Sequence, residues 1–266
     1  MKFSSFKKDQ LLMESWRRFL KEGEEGDLFS QVQQIIRDNK FLSHLADKIT
    51  PESIKDIGNY YYVQFPGELD SDHIKKHFDE SDPGSTWGIS PEQVSGLILD
   101  IISKPPTKEV EERGALKFKW LNVPTGEDIG FDSVVKKDPN DPSIEDSVDH
   151  EAFTMVDRVK DWAVVAGVAK ENDYDLVTQD REEYTEEDLK NNKPAFIKQE
   201  LKVVSGSKMD NPTDVANVVT AKIGDVGGKP ILSLMAVYPG LTPVDNAGND
   251  LSNKKEFQKY GYYFLK

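Results

Sequence analysis

The stretch VANVVTAKIGDVGGKPILSLMAVY, residues 215–238, decides the fold class because it contains the clearest pair of strands in the chain. Its two halves, Val215–Ile223 and Pro230–Tyr238, are rich in apolar and β-branched residues, which favour strands. Gly227 and Gly228 lie between the halves, and a Gly-Gly pair is a favoured two-residue turn between antiparallel strands. The sequence therefore predicts a β-hairpin late in the chain.

Helical patterns come earlier, and the best of them covers Pro91–Ser103. Ser90 is a favourable N-cap, Pro91 occupies the first helical position, and apolar residues then recur at helical spacing. Helices first and strands later predict an α+β fold with an antiparallel sheet and one or two packed helices. We expect a helical N-terminal segment over 1–57 and an α+β domain over 58–266, with a charged insertion near 180–193. Further helices are predicted at Lys7–Glu22, Asp27–Asp38, Phe41–Lys48 and Asp70–Phe78, and further strands at Asn59–Phe65, Ala115–Leu121, Ile129–Val135 and Val159–Ala169.

Charge and composition restrict the classes of partner. The formal net charge is −14, and residues 1–58 are neutral, so residues 59–266 carry the whole excess. An acidic body repels polyanions, so binding to RNA requires a local basic cleft, and binding to an anionic membrane is disfavoured. No apolar run approaches the length of a membrane span. The chain has no cysteine, which excludes disulfides and thiolate metal sites and fits a reducing cytoplasm.

The stretch DHIKKHF, residues 72–78, is the first place to look for chemistry. The chain has four histidines, and His73 and His77 are spaced to share one face of a helix. The pair has three interpretations: a metal site, an acid/base pair, or two half-exposed histidines without a role. Zinc would need a third ligand such as Asp70, Asp72 or Asp79, and Ile74 stands where a zinc-protease helix carries its glutamate base.

The two remaining histidines are expected to be structural. His44 lies beside Leu42 and Leu45, which predicts packing within the N-terminal helices. His150 follows Asp149 and precedes Glu151, and we expect it in the first turn of a helix, in contact with solvent.

Three segments in order resemble a known superfamily. They are Asp72–His77, Pro83–Trp87 and the strand Leu232–Tyr238 that ends in Pro239-Gly240. In this arrangement the chain resembles the ribonuclease toxin superfamily that groups barnase, EndoU, colicin D and RelE, and in particular its phage-borne branch. The resemblance covers about residues 58–240. It implies a phage-encoded endoribonuclease that acts without metal or cofactor in the host cytoplasm, with carriage in the virion as a further implication.

Metal-independent RNA cleavage needs a base for the 2′-OH proton, an acid for the departing 5′-oxygen, and donors or a cation for the phosphorane charge. His73 and His77 suit the first two roles, but an i,i+4 pair lies close together while the two sides of an in-line displacement lie apart. One histidine is therefore expected to work with a partner from the sheet. For this partner the resemblance implies a choice among Lys117, Ser233 and Tyr238. We expect catalytic residues at His73, His77, Lys117 and Tyr238, and substrate-binding residues at Ser85, Thr86, Arg113 and Ser233.

A second resemblance concerns the first helix. The segment Leu11–Glu22 is similar to one that opens many proteins of large aquatic tailed phages. It implies phage virion proteins as partners through this helix, whereas the simpler interpretation is an amphipathic helix that caps the main domain. The alternative to the enzyme is a noncatalytic virion or accessory protein that uses the same fold for assembly or binding.

Overall fold

A computed structural model describes residues 27–112, 114–141, 144, 148–155, 167, 169, 175–249, 251 and 257–265. The chain divides into two compact units. Unit 1 comprises residues 1–79, 89–124 and 216–238, and unit 2 comprises residues 80–88, 125–215 and 239–266. Unit 1 thus takes in residues from both of the segments expected on either side of residue 57.

Most of the described elements are short strands, and few are helices. The helices are α1 (27–38), α2 (Asp72–Lys75), α3 (Pro91–Ile102) and α4 (Glu186–Lys190). The strands are β1 (Ile54–Asp56), β2 (Tyr61–Val63), β3 (Thr86–Trp87), β4 (Lys108–Glu112), β5 (Ala115–Pro124), β6 (Gly130–Phe131), β7 (Val134–Lys136), β8 (Val148–Met155), β9 (Asp175–Val177), β10 (Phe196–Val204), β11 (Pro212–Thr213), β12 (Val215–Val226), β13 (Lys229–Pro239) and β14 (Tyr262–Leu265). This content confirms the α+β class.

Unit 1 is built on a six-stranded sheet in the order β1-β2-β13-β12-β5-β4. The predicted hairpin is confirmed as β12 and β13, whose two-residue connection joins antiparallel neighbours. Gly227 and Gly228 have φ of 60° and 81°, the left-handed backbone that a type I′ turn requires at both central positions. Strand β2 joins the other edge of β13 in parallel, and Ile231 is paired with Tyr61.

Helix α1 covers one face of this sheet. Val32 and Ile36 are fully buried against Val63 and Ile231. The close approach leaves no room at Gly224, where a Cβ atom would lie 2.6 Å from the side chain of Ile35. The predicted helix over Asp27–Asp38 is confirmed, and its apolar stripe is what seats it on the sheet.

Helix α3 confirms the predicted helix closely. Ser90 Oγ accepts a hydrogen bond from the Gln93 amide, and Gln93 Oε1 accepts one from the Ser90 amide, which forms a capping box. The apolar stripe from Val94 to Ile102 is buried. Beyond the helix, Trp120 Nε1 on β5 donates to the Lys104 carbonyl oxygen at 2.8 Å.

Unit 2 contains two further sheets. One has the order β7-β14-β10-β8 with β9 also paired to β10, and the other has the order β11-β6-β3. Its apolar cluster includes Val134, Leu251 and Tyr262. The acidic insertion holds α4, which begins at a second capping box formed by Thr185 and Asp188.

Some predictions were wrong or lie outside the described residues. The helix expected over Phe41–Lys48 is a short 3₁₀ helix, Ser43–Leu45, in which His44 is exposed rather than packed. His150 lies within β8, where it pairs with Leu201 of β10, instead of opening a helix, because tertiary pairing overrides the local pattern. Lys7–Glu22 lies outside the described residues, as does Val159–Ala169 except for residues 167 and 169, which are helical. Within the described residues, no helix is long and apolar enough to cross a membrane.

Candidate active site

The two histidines lie on a short helical segment of unit 1. Helix α2 runs into a 3₁₀ helix at Lys76–Phe78, so the segment is helical from Asp72 to Phe78. Ile74 is only 2% exposed and anchors the segment to the protein, while His73 is exposed and His77 is half-buried. The alternation of one buried apolar residue with exposed polar neighbours presents the histidines on the outer side.

The structure brings Tyr238 to these histidines. The His73 and His77 rings lie with centroids 6.1 Å apart and planes at 77°. The His77 ring stacks on the ring of Tyr238, with centroids 5.8 Å apart and planes at 29°. We call His73, His77 and Tyr238 the histidine–tyrosine cluster. It answers the geometric need for a third group from the sheet, because Tyr238 is near the end of β13.

The environment favours the neutral form of His73. Nearby protein atoms exclude part of the solvent around the imidazole although His73 is exposed at the surface, and this desolvation, followed by the positive charge of Lys76, lowers the pKa of His73 below its ordinary value. A histidine with a lowered pKa stays deprotonated further into the acid range. His73 is therefore able to accept a proton near neutral pH.

Ser233 lies on the opposite face of the sheet from Tyr238. Ile231 packs in the cluster under α1, and Ser233, two residues on, shares that face. Leu232 and Tyr238 share the other face because they are separated by an even number of residues. Ser233 is also only 6% exposed, so the structure does not bring it to the histidine–tyrosine cluster.

Lys117 also lies away from the histidine–tyrosine cluster. It is on β5, two strands from β13 in the sheet. Its neighbour Phe118 points to the face that carries Tyr60, whose ring lies 5.1 Å from that of Phe118. Tyr60 is two residues before Tyr62, which is paired with Leu232 on the Tyr238 face. Alternation then places the Lys117 side chain on the other face.

Ser85 and Thr86 belong to unit 2, and their polar atoms face inward. Ser85 Oγ donates to Asp132 Oδ1 at 2.9 Å and accepts from the Ser133 amide at 3.0 Å. Thr86 is fully buried, and its hydroxyl makes no hydrogen bond within the described part of the chain. Both residues support the interior of unit 2. Arg113 lies outside the described residues.

In the part of the chain that the structure describes, no third ligand for a metal ion accompanies the histidine pair. Among the described residues, no group of three or more His, Asp or Glu side chains converges closely enough to hold a metal ion. Asp72 and Asp79 instead line a groove with the lysines of the same segment.

Glu68 is a titratable residue that the sequence did not reveal. Both of its carboxylate oxygens accept from the Tyr62 hydroxyl at 2.9 Å, and Oε2 also accepts from the Phe65 amide at 3.2 Å. Burial raises the pKa of Glu68 to about 7, although these hydrogen bonds act in the opposite direction. A glutamate directly after Pro66-Gly67 has the appearance of an ordinary exposed turn residue, and only the folded chain buries it.

A cleft of about 450 Å³ opens beside Glu68. Residues of the 50–53 and 64–70 segments line it, together with the first turns of α3. Glu68 leads directly through residue 70 into the helical segment that carries the histidines. The hydrogen bonds from Tyr62 and Phe65 to Glu68 therefore hold the chain just before that segment against the sheet.

Comparison with models of protein families, with curated proteins and with solved structures finds no match for this chain.

Proposed function

We propose that the histidine–tyrosine cluster cleaves RNA without a metal ion. In this reaction the neighbouring 2′-oxygen attacks the phosphorus of the phosphodiester and the 5′-oxygen leaves. The observation that carries the proposal is the stacking of His77 on Tyr238, beside His73. Three groups able to exchange or donate protons thus lie next to one another in unit 1. Acid/base catalysis of this reaction requires two such groups on opposite sides of one phosphorus atom.

The chemistry of each of the three groups suggests its role. His73, whose lowered pKa favours the neutral form, takes the proton from the 2′-hydroxyl as the 2′-oxygen attacks phosphorus. The bond to the 5′-oxygen breaks, and the Tyr238 hydroxyl supplies the proton that this oxygen needs. The products are a 2′,3′-cyclic phosphate and a 5′-hydroxyl.

His77, which contacts both other members of the cluster, donates a hydrogen bond to the phosphoryl oxygens as negative charge develops. We therefore assign His73 and Tyr238 to the two sides of the phosphate. With Tyr238 as the acid, the reaction does not need both histidines of the i,i+4 pair to act on opposite sides of the phosphate.

The test is cleavage of labelled tRNA and mixed RNA by purified protein in the presence of EDTA. Cleavage is expected to persist in EDTA and to fall about 10²- to 10⁴-fold in His73→Ala, in His77→Ala and in Tyr238→Phe, which keeps the ring but loses the hydroxyl. His44→Ala is the matched control, because His44 is an exposed histidine of the same unit outside the cluster. Equal cleavage by the control and the cluster variants, or activity abolished by EDTA, contradicts the proposal.

The net charge of −14 favours a second candidate, a noncatalytic virion or accessory protein. In that case the same fold binds other proteins, and the segment Leu11–Glu22 provides the contact with the virion. Well-folded protein that cleaves no RNA under any condition, yet co-purifies with phage particles and loses this association when residues 1–26 are deleted, supports the second candidate.

A further inference from the structure

A groove of about 390 Å³ lies on the same helical segment as the histidines. It is lined by Asp72, Lys75, Lys76, Phe78 and Asp79, and all of them except the half-buried Phe78 are exposed. Lys76 and Phe78 flank His77 in the chain, so the groove is next to the histidine–tyrosine cluster.

The lining of the groove favours a ligand that is partly anionic and partly aromatic. Two lysines face two aspartates, so the formal charges in the groove cancel and a small free anion gains little there. The ring of Phe78 adds a flat apolar wall, which suits stacking with a nucleobase. A nucleotide combines a phosphate for the ammonium groups with a base for the ring.

Lys76 is also coupled electrostatically to the proposed base, His73. The positive charge of Lys76 contributes to the lowered pKa of His73, so its field reaches the imidazole ring. A phosphate held at Lys76 therefore lies within the electrostatic range of the proposed base.

We propose that this groove binds one nucleotide of single-stranded RNA next to the phosphodiester that is cleaved. Its base stacks on the ring of Phe78, and its phosphate lies against the ammonium groups of Lys75 and Lys76. The inference rests on the proposed function, since it assigns the substrate contacts of the same site.

The experiment measures binding separately from chemistry. A fluorescein-labelled 2′-O-methyl oligoribonucleotide has no free 2′-hydroxyl and cannot undergo the reaction, so its anisotropy reports binding alone. The protein is compared with Lys75→Ala/Lys76→Ala, with Phe78→Leu, and with the control Lys40→Ala/Lys48→Ala. The control removes two exposed lysines of the same unit that do not line the groove, so both double variants have the same net charge.

The two groove variants are expected to fail in different ways. Loss of Lys75 and Lys76 lowers the slope of log affinity against log salt by about 0.7, because both lysines contact one phosphate and about 0.7 counterion is released per phosphate neutralised on a single strand. Phe78→Leu weakens binding about tenfold and leaves the salt slope unchanged. Circular dichroism verifies that each variant is folded. Binding by the groove variants that equals that of the control overturns the inference, as does displacement of the oligonucleotide by inorganic phosphate as readily as by a mononucleotide.

Parallel cleavage assays distinguish this inference from the proposed function. If the groove variants lose binding as expected while the unaltered protein cleaves no RNA, the groove assignment stands and the ribonuclease proposal fails. If the protein cleaves RNA through His73 but the groove variants bind as the control does, the ribonuclease proposal stands and the groove assignment fails.

Discussion

Gly240, directly after β13, tests how rigidly the interior of unit 2 is held. Its φ is +89°, and a Cβ atom there would lie 2.5 Å from Asp132 Oδ1 and 2.8 Å from Ser85 Oγ. The Asp132 carboxylate cannot easily withdraw. Oδ1 accepts from the Val134 amide at 2.8 Å as well as from Ser85, and Oδ2 accepts from the Leu241 amide at 2.6 Å.

Gly126 is a matched control for the substitution Gly240→Ala. Its φ is +86°, close to that of Gly240, and nothing lies within 4 Å of its Cβ position. Alanine in this backbone conformation costs about 1–2 kcal/mol at either site. Gly240→Ala also forces a contact with the fixed carboxylate, which adds about 1–3 kcal/mol for overpacking. We therefore expect Gly240→Ala to destabilise unit 2 by about 2–5 kcal/mol, and Gly126→Ala by no more than about 2 kcal/mol.

Urea unfolding followed by circular dichroism and tryptophan fluorescence measures the difference. An extra loss of about 2 kcal/mol in the free energy of unfolding lowers the urea midpoint by about 1 M, because this free energy typically falls by about 2 kcal/mol per M urea. If Gly240→Ala loses no more stability than Gly126→Ala, the reasoning is refuted, because the carboxylate and its three donors then move aside without cost.

Three further predictions concern Glu68, His73 and Ser90. Glu68→Gln mimics the protonated carboxyl at every pH. In the unaltered protein the folded pKa of Glu68 is raised to about 7, so the protonated glutamate stabilises the fold below pH 4.5, and this stabilisation is lost as the pH rises through 7. The stability of Glu68→Gln relative to the unaltered protein should consequently rise by about 1–3 kcal/mol between pH 5 and pH 8 in urea unfolding, and a constant difference contradicts the burial of this carboxyl. If RNA cleavage is observed, the acid limb of its kcat/KM profile should have a midpoint below the ordinary histidine value of about 6.5, because His73 has a lowered pKa and must be neutral to act as the base; a midpoint at or above this value argues against that role. Ser90→Ala removes the N-cap of α3 and should cost about 1 kcal/mol in thermal or urea unfolding, whereas a loss below a few tenths would show that the capping box contributes little.

Local patterns predicted several elements well. The Gly-Gly pair of residues 227 and 228 and the apolar, β-branched segments around it predicted the hairpin, because turn geometry and strand preference depend on near neighbours. The capped start at Ser90 and Pro91 predicted α3 for the same reason. Prediction failed at His150, whose neighbourhood resembles a helix start, because the pairing of β8 with β10 connects residues about fifty positions apart.

In the candidate site, too, local spacing was predictable from the sequence and long-range contacts were not. The spacing of His73 and His77 on one helical face follows from the sequence alone. The sequence placed Ser233 and Tyr238 in one candidate site, whereas the folded strand puts them on opposite faces. Which face meets the histidines does not follow, because only tertiary packing decides which side of the sheet α1 covers. Lys117 and Tyr238 were equal candidates in the sequence, and the folded sheet places only Tyr238 against His77.

The sequence by itself therefore determined the α+β class, the hairpin, α3 and the histidine pair, since each depends on interactions within a few residues. The tertiary structure decided the contact of His77 with Tyr238 and the burial of Glu68, with its pKa of about 7. It also decided the crowding of Gly240 by the Asp132 carboxylate. The physical reason is that burial and desolvation depend on chain segments that are distant in sequence, and no local pattern of residues encodes which of them meet.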